Sequence, residues 1–226
     1  MLQQRLGLSL PTIKKLGSWS PIDQKTLLAW YQYQVGITLN GSDVSEWADS
    51  SDNSFDMLST GTEQPAYSGG VLTFVSADQN NLQTDSTLPQ IVLTSDFTIG
   101  IKLNPAIDDP GTILGDNTTA NEFFKYTTST NLRIKIDGST ANIPLDSGTF
   151  GDDYIVITRV SSVVTLWHNG TAQSTTATLA GNCDIDAIAV RNSDNNYLDG
   201  TISEIQIYTS STAALTANVN ARLSTL

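Results

Sequence analysis

Short runs of alternating apolar and polar residues, cut by turn-forming residues roughly every ten positions, leave this chain few folds to choose from. Phe97, Ile99, Ile101 and Leu103 alternate through 96–103. Leu132, Ile134 and Ile136 alternate with Arg133 and Lys135, and Asp137-Gly138 then turns the chain. Runs 154–160 and 163–168 meet at Ser161-Ser162, and Asn169-Gly170 predicts a tight type I′ hairpin. Asn40-Gly41 and Gly69-Gly70 are further turn signals. Residues 27–39 read as a strand with one wet face, Ala29, Tyr31, Tyr33 and Val35 alternating with Trp30, Gln32 and Gln34. Thr201 to Tyr208 reads as a half-buried strand, with Ile205 and Ile207 inward and Glu204 and Gln206 outward. A helical pattern occurs only in the tail, 213–226. About a dozen short strands in one body is the signature of a sandwich or barrel.

The 226 residues suffice for one large all-β domain, and no internal repeat or linker divides 27–226. Residues 1–26 differ. Pro11 and Pro21 forbid a continuous helix, and Arg5, Lys14, Lys15 and Lys25 face only Asp23, a net +3 on a chain of net charge −12. This segment reads as an extended basic arm with apolar anchors that include Leu8, Leu10 and Trp19. A basic arm on an acidic body points to docking on something acidic; a solvated tail is the alternative.

The acidic body excludes nucleic-acid binding by bulk charge, which needs clustered Lys and Arg. No apolar run reaches the ~20 residues that span a bilayer, and charges and Gln interrupt the leucines of the first ten residues, so no signal peptide is expected. With one cysteine, Cys183, an intrachain disulfide is excluded and a half-buried strand thiol is expected. His168 is the only histidine, which makes a catalytic triad or a structural zinc site improbable. Retaining glycosidases need two carboxylates about 5–5.5 Å apart. No glutamate here has a second within five residues, and Asp108-Asp109 and Asp152-Asp153 read as turns.

The order of segments adds a resemblance. Trp47-Ala48-Asp49-Ser50…Asn53, Gln64-Pro65-Ala66-Tyr67, Leu72-Thr73-Phe74, Asn81-Leu82, Asp96-Phe97-Thr98-Ile99, 154–159, 164–170 and 198–208 follow one another as in the laminin G-like, concanavalin A-like jelly-roll superfamily. The chain looks most like versions found in tailed phages, including those of marine cyanobacteria. The resemblance covers 27–226. It implies a two-sheet antiparallel jelly-roll sandwich, here with an extended N-terminal arm (1–26) and a short C-terminal helix. It implies that strand 201–208 lies beside the first strand, with Gly200 permitting the turn. The superfamily's glycosidase pattern, Glu-x-Asp-x-x-Glu, is absent.

The expectation is therefore a non-enzymatic virion structural protein, assembled in a host cytoplasm. The leading form is a capsid decoration or cement protein. Its arm, through Arg5, Leu8, Leu10, Lys14, Lys15, Trp19 and Lys25, would engage a major capsid protein, another virion protein or a second copy in a homo-oligomer. The alternative is a carbohydrate-binding module of a phage fibre or spike that recognises surface glycans. Some relatives bind sugars or Ca²⁺ at the loop rim, so Asp116, Asn117, Tyr126, Asp194, Asn196, Tyr197 and Asp199 are the candidate rim ligands or glycan loop. Turns favour Asp and Asn in any case. Trp47 and Trp167 are expected in the core, and Tyr126 and Tyr197 on loops.

Overall fold

The computed structural model describes residues 19–85, 91–106, 110–192 and 196–226. In chain order the strands are β1 (Leu27–Tyr31), β2 (Ile37–Asn40), β3 (Asp43–Trp47), β4 (Met57–Leu58), β5 (Ala66–Ser68), β6 (Val71–Phe74), β7 (Leu82–Thr84), β8 (Val92–Leu93), β9 (Phe97–Pro105) and β10 (Thr112–Gly115). They continue with β11 (Phe123–Thr128), β12 (Asn131–Ile136), β13 (Ser139–Pro144), β14 (Asp153–Val160), β15 (Val163–His168), β16 (Thr171–Thr178), β17 (Cys183–Asp184), β18 (Ala187–Ile188) and β19 (Gly200–Tyr208), and helix α1 (Ala213–Leu223) follows.

All pairings are antiparallel, and the strands form the two layers of a jelly roll. One layer runs β16, β15, β14, β9, β19, with β1 and β6 sharing the far edge of β19. The other runs β2, β3, β4, β7, β18, β10, β11, β12, β13. A single bridge, Asp43 to Ala66, joins β3 to β5 and nearly closes the sandwich. Between the layers lies a core built from the alternating residues, among them Ile99, Ile101, Leu132, Ile134, Ile205, Ile207 and Trp47. Among the described residues no helix is long and apolar enough to cross a membrane.

The hairpins form where the sequence places residues that tolerate φ > 0. Asp137 and Gly138 (φ 47 and 76) and Asn169 and Gly170 (φ 49 and 79) make two-residue turns whose backbone matches the strand twist. Ser161 and Ser162 take the same conformation (φ 48 and 69), which non-glycine residues rarely adopt. The Ser161 N–H donates to Asp96 Oδ1 at 2.8 Å, which ties this turn to the start of β9.

Three expectations change. The 27–39 run is two strands, because the chain turns between Tyr31 and Ile37 with Gln34 at φ 59. Trp30, expected on the wet face, is 6 % exposed. Strand β19 is buried on both faces: Glu204 and Gln206 are each 0 % exposed. The reason is α1, which lies on the outer side of the first layer. Leu215, Val219 and Leu223 recur at helical spacing and pack on Val156 and Tyr208. Thr212 caps the helix by accepting from the Leu215 N–H at 3.1 Å. Gly100 makes the close approach possible, since a Cβ there would stand 2.4 Å from Val219 Cγ1. Gly200 opens β19 at φ 138, and a Cβ there would stand 2.5 Å from Asn104 O.

Candidate functional site

Of the arm residues, Arg5, Leu8, Leu10, Lys14 and Lys15 lie outside the described residues. Trp19 packs half-buried against the α1 cluster, and Lys25 is exposed. Thr26 O accepts from the Thr209 N–H at 2.8 Å, so the described end of this segment lies on the body.

The expected rim set separates. Asp194 lies outside the described residues. Asp199 is a structural clamp: its carboxylate accepts from Ser76 N (2.7 Å) and Ser76 Oγ (2.6 Å) and ties β19 to the end of β6. Asn196 Oδ1 accepts from Lys125 Nζ. Tyr197 is half-buried. Tyr126 is a correction: it belongs to β11, not a loop, is 2 % exposed, and its ring stacks edge-on to Phe150 at 4.5 Å. Its strand neighbours alternate inward, which buries the ring that a sugar would need. Trp47 fills the core as expected, but Trp167 is half-buried on the α1 side.

His168 Nε2 lies 2.9 Å from Asp153 Oδ2. Burial raises the Asp153 pKa, but bonds from His168 and Asn169 outweigh it and hold the carboxyl below its ordinary value. Cys183 is fully buried rather than half-buried, and desolvation drives its thiol pKa far up, which makes it inert at neutral pH.

Asp116 and Asn117 remain at the rim, but their partners are new. One carboxylate oxygen each from Asp116, Asp184 and Asp186 lies within 4.8 Å of the others. Asp116 follows β10, is 2 % exposed, and accepts from Thr118 N (2.6 Å), Thr118 Oγ1 (2.7 Å) and Thr119 Oγ1 (2.6 Å). Burial pushes its pKa up, and these bonds reverse the shift, so it stays below its ordinary value. Asp186 is 0 % exposed, and its Oδ1 accepts from Asn117 N at 2.7 Å. Among the described residues, Asp186 Oδ2 and Asp184 Oδ1 are buried without a hydrogen-bond partner. Burial first, then the neighbouring carboxylates, raises Asp184 to about 7; burial chiefly raises Asp186 to about 6. Oxygens that share one Ca²⁺ at about 2.4 Å stand no more than ~4.8 Å apart, so this set fits a hard divalent cation. The sequence did carry a signal for the missed pair: Asp184-Ile185-Asp186 at period two puts both carboxylates on one side of an extended chain.

Beside this cluster, between β4 and β7, the second layer carries a polar cleft of about 240 Å³ lined by Ser59, Glu63, Asn81, Gln83, Thr84 and Asp85, with Leu58 as an apolar edge. Met57 and Leu82 point into the core, so their neighbours Leu58 and Gln83 face outward. Asn81 Nδ2 donates to Glu63 Oε2 (3.2 Å) and Gln79 O (2.9 Å), while Asn81 Oδ1 accepts from Gln83 Nε2 (2.9 Å). The side-chain amides are thus held in fixed orientations. Ser59 Oγ and Thr84 Oγ1, in the buried wall, have no partner among the described residues. Thr84 N donates to Asp186 O at 2.9 Å, which joins the cleft to the acidic cluster.

No protein-family model and no curated protein matches the sequence. Solved structures do match in fold. The binding domain of botulinum neurotoxin serotype D/C is 12 % identical, with a TM-score of 0.62 over 91 % of this chain and 53 % of that one. The binding domain of Paraclostridial Mosquitocidal Protein 1 is 14 % identical, with a TM-score of 0.60 over 91 % and 53 %. Botulinum neurotoxin type C, which interacts with two ganglioside molecules, is 12 % identical, with a TM-score of 0.57 over 88 % and 51 %. This chain spans about half the length of these domains. At such identities the likeness establishes the jelly-roll fold.

Proposed function

We propose that this chain is a non-catalytic recognition module that binds carbohydrate through the cleft between β4 and β7. One observation carries the reading: an outward-facing cleft that presents the Gln83 amide and the Glu63 and Asp85 carboxylates, with the buried Asn81 amide behind them holding Gln83 and Glu63 in place. Sugar hydroxyls donate and accept in pairs, and such a wall meets them with both. The fold is one that toxin binding domains also use. Capsid decoration rests on Arg5, Lys14 and Lys15, outside the described residues, whereas the cleft belongs to the described body. A fibre or spike module that recognises host surface glycans is the setting this reading favours. The test is a glycan array probed with the full chain: binding that Gln83→Ala removes supports it, and an array without hits refutes it.

A second reading has its own observation. Among the described residues, Asp184 and Asp186 each have a buried carboxylate oxygen without a partner, and one oxygen of each residue lies within 4.8 Å of one on Asp116. These residues would hold a divalent cation such as Ca²⁺, which supplies the charge they lack. Calorimetric titration with CaCl₂ should give binding heat in the wild type and none in Asp186→Asn; a silent wild type refutes it.

A further inference from the structure

Both ionisable groups in the cleft wall are acidic. Glu63 and Asp85 line it, both exposed, and no described lining residue is Lys or Arg. The basic side chains on strands of the same layer, Lys125 of β11 and Arg133 and Lys135 of β12, lie beyond β18 and β10 and are engaged there, Lys125 by Asn196 Oδ1, and Arg191 follows β18. Lys135 Nζ donates to Ala120 O at 2.7 Å, Arg133 Nε to Asn142 Oδ1 at 3.0 Å, and Arg191 lies over the Phe123 ring at 4.2 Å.

We infer that the cleft selects neutral saccharides and rejects sialylated and other anionic ones, a deepening that rests on the carbohydrate reading above. A neutral sugar hydroxyl donates to the Glu63 carboxylate and accepts from the second N–H of the Gln83 amide, and both groups are already oriented by Asn81, whose own two N–H groups are spent on Glu63 and Gln79. A sugar carboxylate needs surplus donors or a cation. Here it would meet Glu63 and Asp85 in a chain of net charge −12, and like charges brought together in a partly desolvated site repel. The cleft's 240 Å³ is smaller than the ~300–1,000 Å³ of drug-sized sites, so it holds about one sugar ring. No described lining residue is aromatic, so single-site affinity is weak and multivalent display is the right probe.

The test presents neutral glycans and their sialylated counterparts on a multivalent surface to the full chain. Sialylation should weaken binding at least about tenfold, as like-charge contact requires. Glu63→Gln should narrow that gap, and Gln83→Ala should weaken neutral binding about fivefold or more at an unchanged melting temperature. Sialylated glycans binding as well as neutral ones, with Gln83→Ala still destructive, overturns the charge selectivity and leaves the carbohydrate reading standing. A preference for neutral glycans unaltered by both substitutions moves the selection away from this cleft and overturns the inference. Absence of binding to every glycan sinks both.

Discussion

Glu204 and Asp186 are equally buried, at 0 % exposure, and the fold treats them in opposite ways. Glu204, on the α1 side of β19, is surrounded by donors. Arg222 reaches it with Nε (2.5 Å) and Nη2 (2.8 Å), Trp30 with Nε1 (3.2 Å), Gln206 with Nε2 (2.7 Å), and Tyr33 with its N–H (3.1 Å). The Arg222 guanidinium also stacks over Trp30 at 5.0 Å. Asp186 Oδ1 accepts from the Asn117 N–H, its Oδ2 has no partner among the described residues, and two more aspartates lie beside it. Burial alone therefore says nothing of function. What separates architecture from a site is whether the buried charge is neutralised by its own chain.

The contrast makes its largest prediction at Arg222. Arg222→Ala leaves Glu204 charged beneath α1 with only neutral donors, and loss of one partner of a buried pair costs about 3–5 kcal/mol. Urea denaturation measures it. Adding Glu204→Gln should restore part of the loss, because the stranded charge goes with it. A cost below ~1 kcal/mol would mean that Arg222 contributes no more than an exposed ion pair does, and the two carboxylates would no longer differ in kind.

At the rim the deficit should be filled from outside. A cation that binds only the folded chain stabilises it by about 2.7 kcal/mol at a hundred times its Kd. CaCl₂ should therefore raise the melting temperature of the wild type and leave Asp186→Asn unmoved. Without a cation the same carboxyls should make stability pH-dependent. Their folded pKa values, about 7 for Asp184 and about 6 for Asp186, exceed the ordinary carboxylate value. Between the ordinary and raised values the folded state binds more protons than the unfolded one, so stability falls as pH rises from about 4 through about 7. Asp186→Asn removes its share: near pH 4 it should match the wild type, and at pH 8 without metal exceed it by on the order of 2 kcal/mol. Equal stability of the two at pH 8 would mean that the rim charge is already compensated, as Glu204 is.

These two regions were unequally legible in the sequence, for a physical reason. Strand alternation and turn chemistry are local, so the inward faces of β9, β12 and β19 and the Asp137-Gly138 and Asn169-Gly170 turns could be read directly. The outer face of β19 could not. Glu204 and Gln206 look solvated until Arg222 and Trp30 arrive from α1 and β1. The acidic cluster is harder still: the Asp184-Ile185-Asp186 spacing pairs two of its carboxylates, but Asp116 meets them only through the pairing of β10 with β18, which no local pattern announces. The cleft is likewise a product of β4 lying on β7.

The smallest prediction carries the contrast to neutral groups. Ser59 Oγ is buried without a partner among the described residues, in the wall of the cleft. An unsatisfied hydroxyl costs less than an unsatisfied charge, and replacing it by a group of similar shape is nearly neutral or stabilising. Ser59→Ala should therefore raise stability slightly, by at most ~1 kcal/mol, where an alanine at Arg222 lowers it severalfold more. If the hydroxyl is kept for a ligand, the same substitution should weaken glycan binding, since a cost tolerated in the free fold is recovered when a sugar supplies the missing bond. Higher stability with weaker binding marks Ser59 as part of the site. Higher stability with unchanged binding would make it a packing defect, and the recognition surface would narrow to Glu63, Asn81 and Gln83.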